Sequence, residues 1–392
     1  MAQPDWIVVG AGFTGATFAE RMASAGRKVL VVDARSHIGG NAFDDFNEHG
    51  ILVHRYGPHV FHTNSDMVWN YLSRFTKWLP YEHKVLGLVE GKLVPIPFNL
   101  NSLALLFAPE AAARVEETLV CSYGSGHRVP ILKLMNSSVP ALRDFGHYIY
   151  EQVYAGYTFK QWGLRPEELN SSVTARVPIR VDRDDRYFLD KFQAMPRGGY
   201  AAMFSRMLAH PNITVQLNCC WSDIRQSVSA EGILYTGALD ELLDYRFGAL
   251  QYRSCRFEHR TTAQDKVQPV GTINYPNSEI FTRVTEQKFL TGQVTASTTL
   301  VAEYPEPHEI GQTIAYYPVP RAENEQLYRR YLAAAKAEHP RMLFSGRLAD
   351  YQYYNMDQAC ARALTLAYNH GADLTKTEVE YPQHEGSFSQ TP

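Results

Sequence analysis

The 392-residue chain is 45% hydrophobic and 20% charged, proportions that suit two or three soluble domains with sizeable cores. Its 38 basic and 41 acidic side chains leave a net charge of −3, which argues against a nucleic-acid or anionic-membrane surface. No apolar run approaches the roughly 18 residues of a spanning helix. The first expected strand begins at once and leaves no room for a signal peptide, so a cytoplasmic protein is expected. The five cysteines (Cys121, Cys219, Cys220, Cys255, Cys360) are odd in number and form no C-x-x-C. No histidine spacing completes a zinc site, so buried free thiols and no metal are expected.

In chain order, Trp6 to Val9 reads as a strand ending in Gly10-Ala-Gly12-Phe13-Thr14-Gly15. A helix over Ala16–Ala25 and a second strand, Lys28 to Val32, follow and end on Asp33. Strand, glycine turn, helix, strand and acid together form the context that gives a G-x-G-x-x-G match its meaning. Gly10 allows the tight turn, Gly12 lets backbone N–H groups approach a pyrophosphate, and Gly15 allows close helix–strand packing. The helix N-terminus then faces phosphate with partial positive charge, and Asp33 is placed for a ribose. A second glycine pair, Gly39-Gly40 before Asn41, follows Ala34 and Arg35. NAD domains need no such loop, whereas FAD enzymes of the glutathione-reductase type often have one, so FAD is expected.

Beyond it, Gly57-Pro58 marks a turn carrying His59, and Met67–Phe75 reads as a short helix. His83 to Pro97 alternates around Glu90-Gly91 as a hairpin. Helical periodicity over 111–120, 131–135 and 139–151 suggests an inserted helical domain. It closes on Tyr154 to Gly163, an aromatic, glycine-flanked stretch expected to be a mobile or ligand-facing loop. Arg180, Arg183 and Arg186 read as a salt-bridged solvent face. A helix to Ala209 and strands near 213–217 and 233–237 return to the first sheet. Residues 247–320 are strand-rich with proline-punctuated turns, which suggests an antiparallel sheet. A helix over 325–338, a strand into Gly346-Arg347 and a helix over 356–368 follow. The polar tail from Thr375 is expected to be loose.

From Asp5 to about Asn369 the chain resembles the bacterial UDP-galactopyranose mutases. The most specific stretches are Gly57-Pro-His-Val-Phe-His-Thr63, Gly156-Tyr-Thr-Phe-Lys-Gln-Trp-Gly163, Asp244-Tyr-Arg-Phe-Gly-Ala-Leu-Gln-Tyr-Arg253 and Gly346-Arg-Leu-Ala-Asp-Tyr-Gln-Tyr-Tyr354. The resemblance implies an α/β fold of three parts. These are a discontinuous FAD-binding Rossmann-like domain (1–80, 195–245, 325–392), a helical domain with a mobile substrate loop (99–174), and an antiparallel sheet domain (81–98, 175–194, 246–324). It implies interconversion of UDP-galactopyranose and UDP-galactofuranose with no net redox change, N5 of reduced FAD acting as nucleophile at the anomeric carbon. A homo-oligomer, a dimer, is implied as well.

Residue by residue, the resemblance implies that Arg176 and Arg283 clamp the diphosphate, a task suited to guanidinium forks. Trp162 and Tyr157 form the uridine platform. Tyr187, Tyr317 and Tyr353 donate to phosphate, Phe188 borders the nucleotide, and Asn274 lies near Arg283. His59 lies against the flavin near the sugar, and His83 and Asn355 shape the sugar pocket. The expected cofactor contacts are Gly10, Gly12, Phe13, Thr14, Gly15, Asp33, Ala34, Arg35, Gly39, Gly40, Asn41, His59, Gly346, Arg347, Tyr353 and Met356.

Two departures stand out. Asp33 replaces the glutamate of many relatives, and Asn355 stands where these mutases usually carry aspartate, which opens the possibility of altered specificity. The alternatives are the same mechanism on another nucleotide sugar (UDP-N-acetylgalactosamine or a deoxyhexose nucleotide) and a flavin amine oxidase-like oxidoreductase.

Overall fold

The computed structural model describes residues 3–165, 168–169 and 177–373. Its first layer is a five-stranded parallel sheet in the order Ile213–Gln216, Val29–Val32, Trp6–Val9, Gly232–Tyr235, Met342–Phe344. Side chains alternate across it with the period of two that a strand imposes. Trp6, Val8, Val31 and Leu234 point into a core formed with the helices Phe13–Ser24, Tyr200–Leu208 and Met356–Asn369. Val9, Ile233 and Tyr235 point the other way, onto the helix Ala322–Glu338. The first helix begins at Phe13, three residues before its expected start.

A second sheet has seven strands in the order Tyr317–Pro318, Tyr252–Thr262, Thr298–Pro307, Arg283–Glu286, Thr272–Asn274, Val85–Val89, Lys92–Ile96. It is antiparallel except where Thr272–Asn274 runs parallel to Val85–Val89. The expected hairpin forms its edge and turns on Glu90 and Gly91, both at positive φ. Register matters here. Gly87, Asn274, Arg283, Glu303 and Phe257 are successive cross-strand partners, which sets them in one row across the sheet.

The helices Leu100–Leu106, Pro109–Tyr123, Ile131–Met135 and Pro140–Ile149 pack onto the hairpin through Val85, Val94, Ile96 and Phe98. The stretch after them departs from expectation. A π-helical turn, Tyr150–Ala155, carries the last helix directly into a further one, Gly156–Trp162. Gly156 is helical (φ −64°, ψ −43°) and supplies close approach rather than backbone freedom. A Cβ there would overlap Asn277 Oδ1 and stand 2.6 Å from the Pro276 carbonyl oxygen. Gly163, at φ 67°, ends the helix in the left-handed conformation common at helix C-termini.

Arg183 bonds Glu116 and Arg186 bonds Asp184 on the expected salt-bridged solvent face, whereas Arg180, bonded to Asp182, is buried, against that expectation. All five cysteines are free, but Cys121 and Cys220 are exposed, against the expectation that all are buried. Among the described residues no helix is long and apolar enough to cross a membrane, and no cluster of His, Cys, Asp and Glu could hold a metal ion. The tail from Thr375 lies outside the described residues.

Candidate functional site

Three adjoining chambers share lining residues. The glycine chamber, about 160 Å³, is lined by Gly12, Phe13, Thr14, Gly15, Arg35, Gly39, Asn41, His59, Gly346, Arg347 and Met356, among others. Asn355 lines all three chambers, and His59, Arg347 and Met356 are shared between the glycine chamber and a central one of about 190 Å³. The central chamber also holds His62, His83, Tyr157, Tyr187, Phe188, Asn274, Arg283, Tyr317 and Tyr353. Most of these continue into an outer chamber of about 560 Å³ that reaches Trp162. The predicted residues thus converge from separate stretches of chain, and among the described residues no Asp or Glu lines the central chamber.

The glycine chamber is shaped by close backbone approach. A Cβ on Gly15 would overlap the Gly10 carbonyl oxygen, and a Cβ on Gly40 would stand 3.1 Å from the Gly12 Cα, so the second glycine pair packs onto the first turn. Gly10 bends at φ 103° beside Thr236. Asp33 accepts hydrogen bonds from the Ala11 and Arg35 amides (2.8 and 2.9 Å) and so ties the turn to the strand end. Asp33, Ala34, Gly10 and Gly40 stand outside the chamber lining, and Tyr353 lines the central and outer chambers instead. The Arg35 guanidinium lies over the Tyr56 ring (4.7 Å) and bonds Asn41 Oδ1 (2.8 Å), yet its buried Nη1 has no hydrogen-bond partner among the described residues. An unsatisfied cationic donor beside a glycine cradle at a helix N-terminus fits a dinucleotide's phosphates.

At the junction, His59 Nδ1 lies 2.9 Å from the Gly57 carbonyl oxygen. A carbonyl only accepts, so Nδ1 carries the proton and Nε2 is left as an acceptor. Burial, with the charges of Arg347 and Arg283 adding to it, pulls the His59 pKa down to about 4, which makes it a neutral acceptor at pH 7. Behind it, the His59 amide donates to His54 Nδ1 (3.1 Å), whose other nitrogen stands 3.9 Å from Asp44 Oδ2. Asp44 caps the Tyr200 helix by accepting from the Tyr200 and Ala201 amides (2.7 and 2.8 Å), and the Tyr200 hydroxyl donates to the His59 carbonyl (2.9 Å).

In the central chamber Arg283 donates through Nε and Nη2 to one oxygen of Glu303 (2.9 and 2.7 Å). Glu303 is 1% exposed, and its other oxygen, Oε1, has no partner among the described residues. Sequence reading missed Glu303; in the register it is Arg283's direct cross-strand partner. The sequence also left His62 unassigned. It donates from Nδ1 to Asp190 (2.9 Å) and stacks on Phe188 (3.7 Å). Burial raises the Tyr157 and Tyr317 hydroxyl pKa values far above neutrality, so both remain donors. Burial lowers that of His83 to about 3, and His83 pairs with the Tyr81 hydroxyl (2.9 Å). Trp162 stands 6.2 Å from the Tyr317 ring, and Tyr317 5.1 Å from Tyr353. Arg176, expected to clamp the diphosphate with Arg283, lies outside the described residues.

The parallel sheet, its glycine turn and the adjoining chambers define a dinucleotide-binding α/β protein whose cofactor end adjoins a basic, aromatic chamber. Comparison with known proteins agrees. Residues 8–75 match the family model of the NAD(P)-binding Rossmann-like domain, and residues 152–353 that of UDP-galactopyranose mutase. A probable UDP-galactopyranose mutase of Klebsiella pneumoniae is 34% identical over 94% of both chains. A dTDP-fucopyranose mutase of Escherichia coli is also 34% identical, over 92% of this chain and 97% of its own. A crystal structure of a reduced UDP-galactopyranose mutase superposes with a TM-score of 0.73 at 16% identity, covering 94% of each chain, a likeness of fold. The chain belongs to the UDP-galactopyranose mutase family.

Proposed function

We propose that this protein is a flavin-dependent isomerase that interconverts UDP-galactopyranose and UDP-galactofuranose without net redox change. The observation that carries the reading is the succession of adjoining chambers, from the glycine cradle past His59 and Arg347 to Arg283, the tyrosines and Trp162. FAD would lie along Gly12–Gly15, Arg35, Gly39 and Asn41 with its ring end toward His59, Arg347 and Met356, and in its reduced form it supplies the nucleophilic N5.

The chain's own residues handle position and charge. Negative charge grows on the departing diphosphate, and Arg283, held by Glu303, offers its remaining guanidinium N–H groups to it, with Arg176 in the same role. Tyr157, Tyr187, Tyr317 and Tyr353 surround the same point with hydroxyl groups, and Tyr157 and Trp162 border the base. His59, neutral, accepts a hydrogen bond at the junction. The helix Gly156–Trp162 forms one wall of the outer chamber and limits the access of water from that side.

A second reading keeps the machinery and changes the sugar nucleotide. The Escherichia coli relative, as similar as the Klebsiella one, is a dTDP-fucopyranose mutase, and Asn355 borders the chambers at the position where the family resemblance leads aspartate to be expected. The test is to incubate dithionite-reduced and oxidised protein separately with UDP-galactofuranose and with dTDP-fucopyranose, then resolve the products by chromatography. Conversion of the UDP sugar by reduced protein alone is expected. Stoichiometric NAD(P)H oxidation coupled to product would overturn the reading, and preferential turnover of the dTDP sugar would favour the second.

A further inference from the structure

We infer that Arg253 is a positioning residue whose guanidinium latches the C-terminal turn of the Gly156–Trp162 helix to the sheet and thereby sets how long a nucleoside diphosphate stays in the outer chamber. The inference rests on the nucleotide reading of that chamber.

Arg253 is the second residue of the strand Tyr252–Thr262 and is 8% exposed. Its Nε donates to the Gln161 carbonyl (2.9 Å) and its Nη2 to the Lys160 carbonyl (3.2 Å). These are last-turn carbonyls that an α-helix leaves without internal partners, at the end where a cation also meets the negative pole of the helix. Gly163 closes the same turn so tightly that a Cβ would stand 3.1 Å from Arg253 Nη1. Arg253 lines none of the three chambers, so it acts through the helix rather than on a ligand.

The last turn of a helical run that has passed through a π turn leaves its carbonyls without internal partners, so its outside contacts decide where it sits. Two lesser ties accompany the latch: Lys160 Nζ donates to the Tyr275 carbonyl (2.7 Å) and Asn277 Nδ2 to the Gln152 carbonyl (3.0 Å). Register gives Arg253 a further consequence. Tyr317 is its direct cross-strand partner, and the Tyr317 ring faces Trp162 at 6.2 Å. One side chain therefore joins the two walls between which a nucleotide would lie. If the helix swings out, the buried guanidinium loses both acceptors, so the latched position is favoured before any ligand arrives. With the latch weakened, Trp162 spends part of its time away from Tyr317 and a bound nucleotide is held by fewer contacts, a loss that falls mainly on the dissociation rate.

The experiment compares wild type with Arg253→Lys, which keeps the charge but loses the fork, and with Gly163→Ala, which crowds the same latch from the helix side. Amide exchange over residues 159–163 should accelerate roughly 10- to 100-fold, the scale of one lost charge-assisted hydrogen bond, while exchange in the strand Thr298–Pro307 stays unchanged. UDP dissociation, followed by tryptophan emission with Trp162→Phe as the blank, should accelerate by the same order, with association within about twofold. KM should rise while kcat at saturation stays within about threefold. Exchange and dissociation within twofold of wild type in either folded variant would overturn the inference, as would a kcat that falls in step with kcat/KM. Should wild type bind no UDP, the proposed function is at fault, and the exchange data alone decide the latch.

Discussion

Arg283 is placed both to hold a diphosphate and to neutralise Glu303, and the two roles separate under mutation. Glu303 is 1% exposed, takes both guanidinium bonds on one oxygen and has no partner for the other among the described residues. Replacing Arg283 with methionine keeps volume but strands a buried carboxylate, a change that costs about 3–5 kcal/mol. Against a total stability of roughly 5–15 kcal/mol this is a large fraction, readily seen in urea denaturation. Adding Glu303→Gln removes the stranded charge, so the double variant should recover most of the lost stability. Turnover should not follow. A lost electrostatic donor at a point of developing charge costs on the order of 2.7–4 kcal/mol, a 100- to 1,000-fold fall in kcat, and glutamine restores none of it. The assay pairs denaturation midpoints with turnover of UDP-galactofuranose by reduced protein, flavin content being checked in each variant. Recovery of turnover together with stability would reduce Arg283 to a counter-ion. Wild-type stability in Arg283→Met would show that Glu303 is solvated, contrary to its burial.

Three further outcomes are expected. Trp162→Ala should weaken UDP binding about 5- to 150-fold from lost stacking and let some free galactose escape during turnover; titration with UDP and a free-sugar assay check both. Gly156→Ala should open the seam against Pro276 and Asn277, lowering stability by roughly 1–3 kcal/mol by urea denaturation and UDP affinity with it by titration. Asp44→Asn should change the pH dependence of stability. Burial raises the Asp44 pKa from 3.8 to about 6, so its contribution is fully present below the unfolded value and is lost as pH rises through the folded one. The stability of wild type relative to Asp44→Asn should therefore grow by on the order of 2–3 kcal/mol as pH falls from 7 to 4, measured by denaturation at each pH.

Local patterns were the legible part. The glycine turn between two short apolar runs, the hairpin around Glu90-Gly91, and the helices ending the chain each depend on neighbours a few residues away, and their signals lie within that distance. The Tyr154–Gly163 stretch failed as a loop because its glycines serve packing and termination. Gly156 seats a helix on Pro276, and Gly163 ends it. Nothing in ten residues states that a surface some 120 positions later will receive them.

The sequence by itself determined the parallel-sheet fingerprint, the kinds of side chain available for a diphosphate and a base, and, through its long motifs, the family. Only the tertiary structure decided that Glu303 faces Arg283, that Asp44 and His54 stand behind His59, and that Arg253 holds the helix over the outer chamber. The reason is register and burial. A one-residue slip of either strand would turn Arg283 or Glu303 to the opposite face and part the pair, and that choice is made by the packing of whole sheets. A carboxylate becomes a buried counter-ion, or a guanidinium a latch, only when desolvation by distant segments removes water as its partner.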